Sequence, residues 1–227
     1  MTLCAGLLHA ASFDCGKART RTEKFICSDA ALSTADERMA SAYTKAVRLA
    51  SSINLEEAKE LKRDQRVWLR GVQGCENVGC LSIEYADRTT FLNYYNTHAD
   101  GHPATVTGSY RMRRVDSCVG CFTGKDVTPI IQSGNLEISK LPNGSVRFSL
   151  NVVNESNFHT GEIEGEVHLK NGVAVFRQTD PQYWMNCTLT ITFKSTKAAV
   201  SQDGACGFGT GVVADGTYMK TGDSVRH

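Results

Sequence analysis

The chain has 227 residues, 41% hydrophobic and 22% charged, with a mean hydropathy of −0.27. That is enough apolar material for one large core or two small ones, and it excludes a chain disordered throughout. A net charge of +1, divided evenly along the sequence, removes the electrostatic reason to expect nucleic acid or an anionic membrane as partner.

The first ten residues, Met-Thr-Leu-Cys-Ala-Gly-Leu-Leu-His-Ala, are apolar and end in the small residues Ala10, Ala11 and Ser12. Residues 1–11 read as the tail of a secretory signal, cleaved after Ala10 or Ala11. Of the nine cysteines, Cys4 falls in this segment, which leaves an even eight for a disulfide framework. Such a count fits an oxidising compartment, periplasmic or extracellular, better than the cytosol. No apolar run approaches ~20 residues, so no membrane span is expected.

Residues 12–100 carry helical periodicity. Leu32, Met39, Tyr43, Ala46 and Ala50 share one face of a segment at 29–51, and Ala58, Leu61, Trp68 and Val72 one face of the next, at 54–77. Asn54 and Glu57 between them have the spacing of a capping box. A third helix is expected over about 79–97, through Leu81, Tyr85, Leu92 and Tyr95, and Gly101 and Pro103 stop it. Four cysteines allow three pairings. An antiparallel hairpin turning near Ser52 sets Cys27 level with Cys75, which favours Cys27–Cys75 and leaves Cys15–Cys80.

After a linker at 101–107, residues 108–227 alternate with period two. Val146, Phe148, Leu150 and Val152 form one stripe, and Ile163, Val167 and Leu169 another. Asn143-Gly144 and Asn171-Gly172 are hairpin-turn dipeptides. Cys187 and Cys206 lie symmetrically about Thr196-Lys197, so a hairpin there pairs them. Gly108-Ser-Tyr110 opens the domain and Gly216-Thr-Tyr218 echoes it. About eight strands are expected, in an antiparallel barrel or sandwich. The fold class is therefore α+β: a disulfide-bonded helical hairpin or bundle, then a β-barrel or sandwich.

Two patterns in the β-domain bear on function. Cys118-Val119-Gly120-Cys121 is a C-x-x-C, but its neighbours Asp116, Phe122 and Gly124 suggest a β-domain loop rather than the helix N-terminus that activates a redox thiol. A Cys118–Cys121 bridge would stiffen a protruding loop, so Cys118–Lys125 is a candidate contact. Thiol exchange or a zinc site with Cys187 and Cys206 are the alternatives. Glu162, Glu164, Glu166 and His168 share one face of a strand. A flat exposed face offers no pocket for catalysis, but an acidic stripe attracts a basic partner. No H-E-x-x-H pattern and no phosphate-cradling glycine loop occurs, so no metal, cofactor or enzymatic activity is expected.

Phe13-Asp14-Cys15, Ala18, Thr22-Glu23, Ile26-Cys27, Tyr43, Gln65-Arg66-Val67-Trp68-Leu69, Cys75, Cys80, Tyr85 and Arg88 together resemble the LprI-type lysozyme-inhibitor N-terminal domain. The resemblance covers roughly residues 12–96. Cys206-Gly-Phe-Gly209 and Gly216-Thr-Tyr218 look like the β-domain often appended to it. The resemblance implies a bacterial envelope or secreted protein whose partner is lysozyme or another peptidoglycan hydrolase, bound and blocked without chemistry of its own. A structural or adhesive envelope module is the alternative.

Overall fold

A computed structural model describes residues 11–98, 105–119, 127–194 and 196–223. The chain divides into two compact units between Asp100 and Gly101. The signal-like residues 1–10 and the expected Cys118–Cys121 bridge lie outside the described residues.

The first unit contains four α-helices: α1 Arg21–Ser28, α2 Ala30–Ile53, α3 Leu55–Gly71 and α4 Val78–His98. The apolar stripes read from the sequence face inward, with Leu32, Met39, Ala46 and Ala50 of α2 buried against Leu61 of α3 and Leu81, Leu92 and Tyr95 of α4. Asn54 ends α2 and caps α3, accepting a 2.8 Å hydrogen bond from the Glu57 amide. The reciprocal half of that capping box is missing, because the Glu57 carboxylate accepts from the Tyr95 hydroxyl at 3.0 Å instead. The complete capping box belongs to α1, where Thr20 and Glu23 satisfy each other's amides.

Helix α1 is absent from the sequence-based expectation, and it decides the disulfides. Cys15 pairs with Cys27 and Cys75 with Cys80, at Cα separations of 5.7 and 5.5 Å. The expected Cys15–Cys80 and Cys27–Cys75 pairs do not form. Asp14 nucleates a 3-10 turn over Cys15–Lys17 that folds back beside α1 and brings Cys15 to Cys27. At the α3–α4 corner, Asn77 caps α4 by accepting from the Cys80 amide at 2.9 Å, which bends Cys80 back onto Cys75. Both bridges close short local loops rather than clamping the hairpin; each contributes about 2–3 kcal/mol in the loop-entropy account.

The hydrogen bonds at Glu23 make the start of α1 sensitive to acid. Backbone amides of Thr20 and Arg19 donate to its carboxylate and hold its pKa below the ordinary 4.5. A carboxylate with a depressed folded-state pKa stabilises above its unfolded value and loses that contribution as pH falls through the folded one. Amide exchange at Arg19 and Thr20 is therefore expected to speed up selectively as pH drops from 5 to 3, after correction for intrinsic rates. A Glu23→Gln variant should show no such selective step.

The second unit is one antiparallel sheet of nine strands among the described residues: β1 Gly108–Val119, β2 Val127–Lys140, β3 Val146–Asn154, β4 His159–Val167, β5 Leu169–Lys170, β6 Val173–Asp180, β7 Met185–Lys194, β8 Lys197–Ala205 and β9 Gly216–Gly222. Their order is β4-β3-β2-β1-β9-β8-β7-β6-β5. The two ends of that order, β4 and β5, are separated in sequence by His168 alone. The sheet thus rolls into a nearly closed barrel, β4 running on into β5, which pairs with β6 through the two-residue turn Asn171-Gly172. Both turn residues have positive φ, 50° and 75°, the geometry an Asn-Gly hairpin favours.

Inside the barrel, Leu136, Ile138, Phe148, Leu150, Leu189 and Ile191 are buried, and two tyrosines close the set. Tyr110 on β1 and Tyr218 on β9 are completely buried, and each hydroxyl donates to the carbonyl four residues upstream, Val106 at 2.8 Å and Ala214 at 3.0 Å. This is the physical content of the repeated Gly-x-Tyr: each tyrosine pins the loop that delivers its strand while filling the core. Burial raises the Tyr218 pKa well above the ordinary value.

Candidate protein-binding surfaces

Of the motif residues of the helical unit, Gln65, Tyr85 and Arg88 turn inward, Trp68 is half-buried, and Arg66, Val67 and Leu69 are exposed. The Arg88 side chain is buried, donates from Nε to Gln65 Oε1 at 2.8 Å, and lies over the rings of Phe91 and Trp68 at 5.0 and 5.8 Å. Trp68 meets Tyr85 edge-on at 5.0 Å. The Tyr85 hydroxyl bonds the buried Asp36 carboxylate, which also accepts the Ser12 amide at 2.7 Å. Burial, then the nearby Asp36, drives the Tyr85 pKa far up. Desolvation pulls Arg88 down to about 10 against the attraction of Asp64. Gln65, Trp68, Tyr85 and Arg88 are thus a polar-aromatic core that fixes how α3 and α4 pack, not a contact surface.

In the barrel, β4 exposes Glu162, Glu164 and Glu166 and turns Ile163 and Val167 inward. Glu166 bonds Arg147 at 2.7 Å, Glu162 accepts from Asn151, and Glu164 stands opposite Ser149. Thr160 accepts from the Gly209 amide on the side of β4 away from β3. Strand alternation then turns the peptide groups of Glu162, Glu164 and Glu166 to the same open edge. A row of carboxylates there also guards an unpaired strand against edge-to-edge association. Across the seam, β6 packs closely: a Cβ at Gly165 would come 2.4 Å from the Phe176 ring. Phe176 stacks edge-on against Phe148 at 5.1 Å.

The end of the barrel remote from Gly108 is capped by the β8–β9 loop, residues 206–215. Cys206 is bonded to Cys187 at the start of β7, as the hairpin symmetry suggested. The strand register sets Cys187 opposite Gly204, so the bridge reaches two residues diagonally past it. Val212 and Ala214 are buried, Phe208 lies over Gly161, and Asn157 and His159 hydrogen-bond the Thr210 carbonyl. Arg114 donates to the Asp215 carbonyl, and Arg113 pairs with Glu155 at 3.0 Å. These arginines therefore brace loops. The backbone of Cys118 and Val119 completes β1 opposite Thr128 and Val127; Gly120, Cys121 and Lys125 lie outside the described residues.

Sequence reasoning missed three residues at that end. Phe158, Tyr183 and Trp184 are 83%, 71% and 89% exposed. They sit in the β3–β4 and β6–β7 turns. Among the described residues, no group of three His, Cys, Asp or Glu is placed to hold a metal ion, and no helix is long and apolar enough to cross a membrane.

The helical core and its two bridges coincide with a recognised domain. Residues 15–95 match the family described as lysozyme inhibitor LprI. The match spans the four-helix part of the chain. No curated protein and no solved structure matches the chain significantly.

Proposed function

We propose that this protein is an exported bacterial inhibitor that binds and blocks a peptidoglycan-cleaving enzyme, with lysozyme as its first target. The observation that carries the reading is the LprI-type match, which includes all four cysteines of the helical unit. The three disulfides among the described residues support an oxidising compartment, periplasmic or extracellular. Such an inhibitor acts by occlusion: one of its surfaces fills the substrate cleft. The candidate contacts are the Cys118–Lys125 loop (Cys118, Val119, Gly120, Cys121, Lys125) and the acidic stripe Glu162, Glu164 and Glu166. Lysozymes are generally basic, so that stripe would speed encounter more than it would strengthen the final complex.

The test is clearance of a peptidoglycan suspension by a c-type lysozyme with and without a molar excess of the oxidised protein. Clearance should slow in proportion to inhibitor added, and Glu162→Lys with Glu164→Lys should weaken inhibition most at low salt. Unchanged clearance at saturating protein overturns inhibition. Binding without inhibition would identify an envelope interaction module instead.

A further inference from the structure

By the register of the barrel, the three exposed aromatic side chains stand at the same end of it. Strands β4 and β6 run antiparallel across the seam, with Gly165 against Phe176. Seven residues from each, toward the same end, lie Phe158 and Tyr183, with Trp184 next. Together the three rings expose roughly 500 Å², taking ~200 Å² for a whole aromatic side chain. That is over half of the ~800 Å² each partner contributes to a standard interface.

Their display is rigid. Phe158 and Trp184 hold φ of 59° and 53°, a left-handed conformation that bulky side chains rarely adopt. The Phe158 amide donates to the Asn154 carbonyl at 2.8 Å, and Asn157 ties the same turn to Thr210. Asp180 caps the Pro181–Tyr183 turn through the Gln182 amide. Rings already fixed before contact lose little entropy on docking, which is why tryptophan and tyrosine dominate interface hot spots. The turns Ser156–Phe158 and Pro181–Trp184 carry no charge, and the acidic stripe runs down β4 directly from Phe158.

We infer that Phe158, Tyr183 and Trp184 are the anchor residues of a protein-docking surface, whose partner is a basic protein with an apolar-lined cleft. An uncharged aromatic centre flanked on one side by carboxylates is complementary to a cleft with a basic rim. The inference rests on the inhibitor reading for the identity of that protein, and it assigns the contact to the barrel end rather than to the helical unit.

The experiment titrates full-length oxidised protein against a c-type lysozyme by calorimetry, beside Phe158→Asn, Trp184→Asn and the double variant. Asparagine tolerates left-handed φ, so melting temperatures should stay level or rise. Each single variant should weaken binding by about tenfold or more, and the double variant by about a hundredfold. Wild-type binding that the double variant retains in full overturns the docking surface and leaves the inhibitor reading standing. A wild type that does not bind overturns both. Sedimentation of the protein with peptidoglycan alone, or a dimer dissolved by the same substitutions, would assign the patch to a glycan or a second copy and overturn the proposal.

Discussion

Gln65→Leu should destabilise the helical unit by about 3 kcal/mol, and adding Arg88→Met to it should recover most of that loss. Gln65 supplies the acceptor for the Arg88 Nε, and its own amide reaches only the Met39 sulfur at 3.4 Å. Arg88 is 5% exposed, and its NH2 nitrogen has no hydrogen-bond partner. Deleting the acceptor leaves a buried guanidinium with only its ring contacts and the attraction of Asp64, and a cation stripped of its hydrogen-bond partner is among the costliest single defects. Methionine at 88 keeps the bulk over Trp68 and Phe91 without the charge. Arg88→Met alone should therefore lie within about 1 kcal/mol of wild type, while Arg88→Ala, which opens a cavity, should lose about 3 kcal/mol.

The lowered Arg88 pKa gives the sign of the electrostatic contribution. A cation whose folded pKa, about 10, lies below its ordinary value binds its proton more weakly in the folded state. Its charge is then a net cost at neutral pH, relieved only as pH rises past 10. Denaturant unfolding of the four proteins at pH 7, read by helical circular dichroism, gives the double-mutant cycle. A double variant no more stable than Gln65→Leu would mean that Gln65 packs α3 rather than serving Arg88.

The long helices were legible because their inward stripes are local. Leu32, Met39 and Ala46 repeat at helical spacing, and tertiary packing follows the repeat. Helix α1 was not, since eight residues bury only Thr22 and Ile26, and no periodicity emerges from two points. Its capping box at Thr20 and Glu23 was the available signal. Without α1, the cysteine pairing had to be reasoned from the hairpin alone, and it failed for that reason. In the barrel, alternation identified the inner faces of β3 and β4 and the hairpin identified Cys187–Cys206. It gave no hint that Gly161 and Gly165 make room for Phe208 and Phe176, because those rings arrive from far along the chain. Phe158 and Trp184 escaped for a related reason: an aromatic next to a turn looks the same in sequence whether it folds inward or stands in solvent.

Gly204→Ala should cost the β-unit about 3 kcal/mol, lowering its melting temperature by roughly 10 °C. Gly204 stands opposite Cys187 on β7 with φ of 77°, and an added Cβ would lie 1.8 Å from the Asn186 carbonyl oxygen. That atom is backbone in a paired strand, so it yields only if β7 shifts and carries Cys187 with it. Left-handed strain alone accounts for roughly 1–2 kcal/mol, and the remainder is the clash. Gly144 separates the two effects: its φ is 83° but nothing lies within 4 Å of its Cβ position. Gly144→Ala should therefore show only the strain, about 1 kcal/mol. Thermal melts of the two oxidised variants, followed in the β-sheet circular dichroism signal, make the comparison. Equal losses would mean that β7 accommodates the methyl group, and that the join between Cys187 and the capping loop is looser than its packing implies.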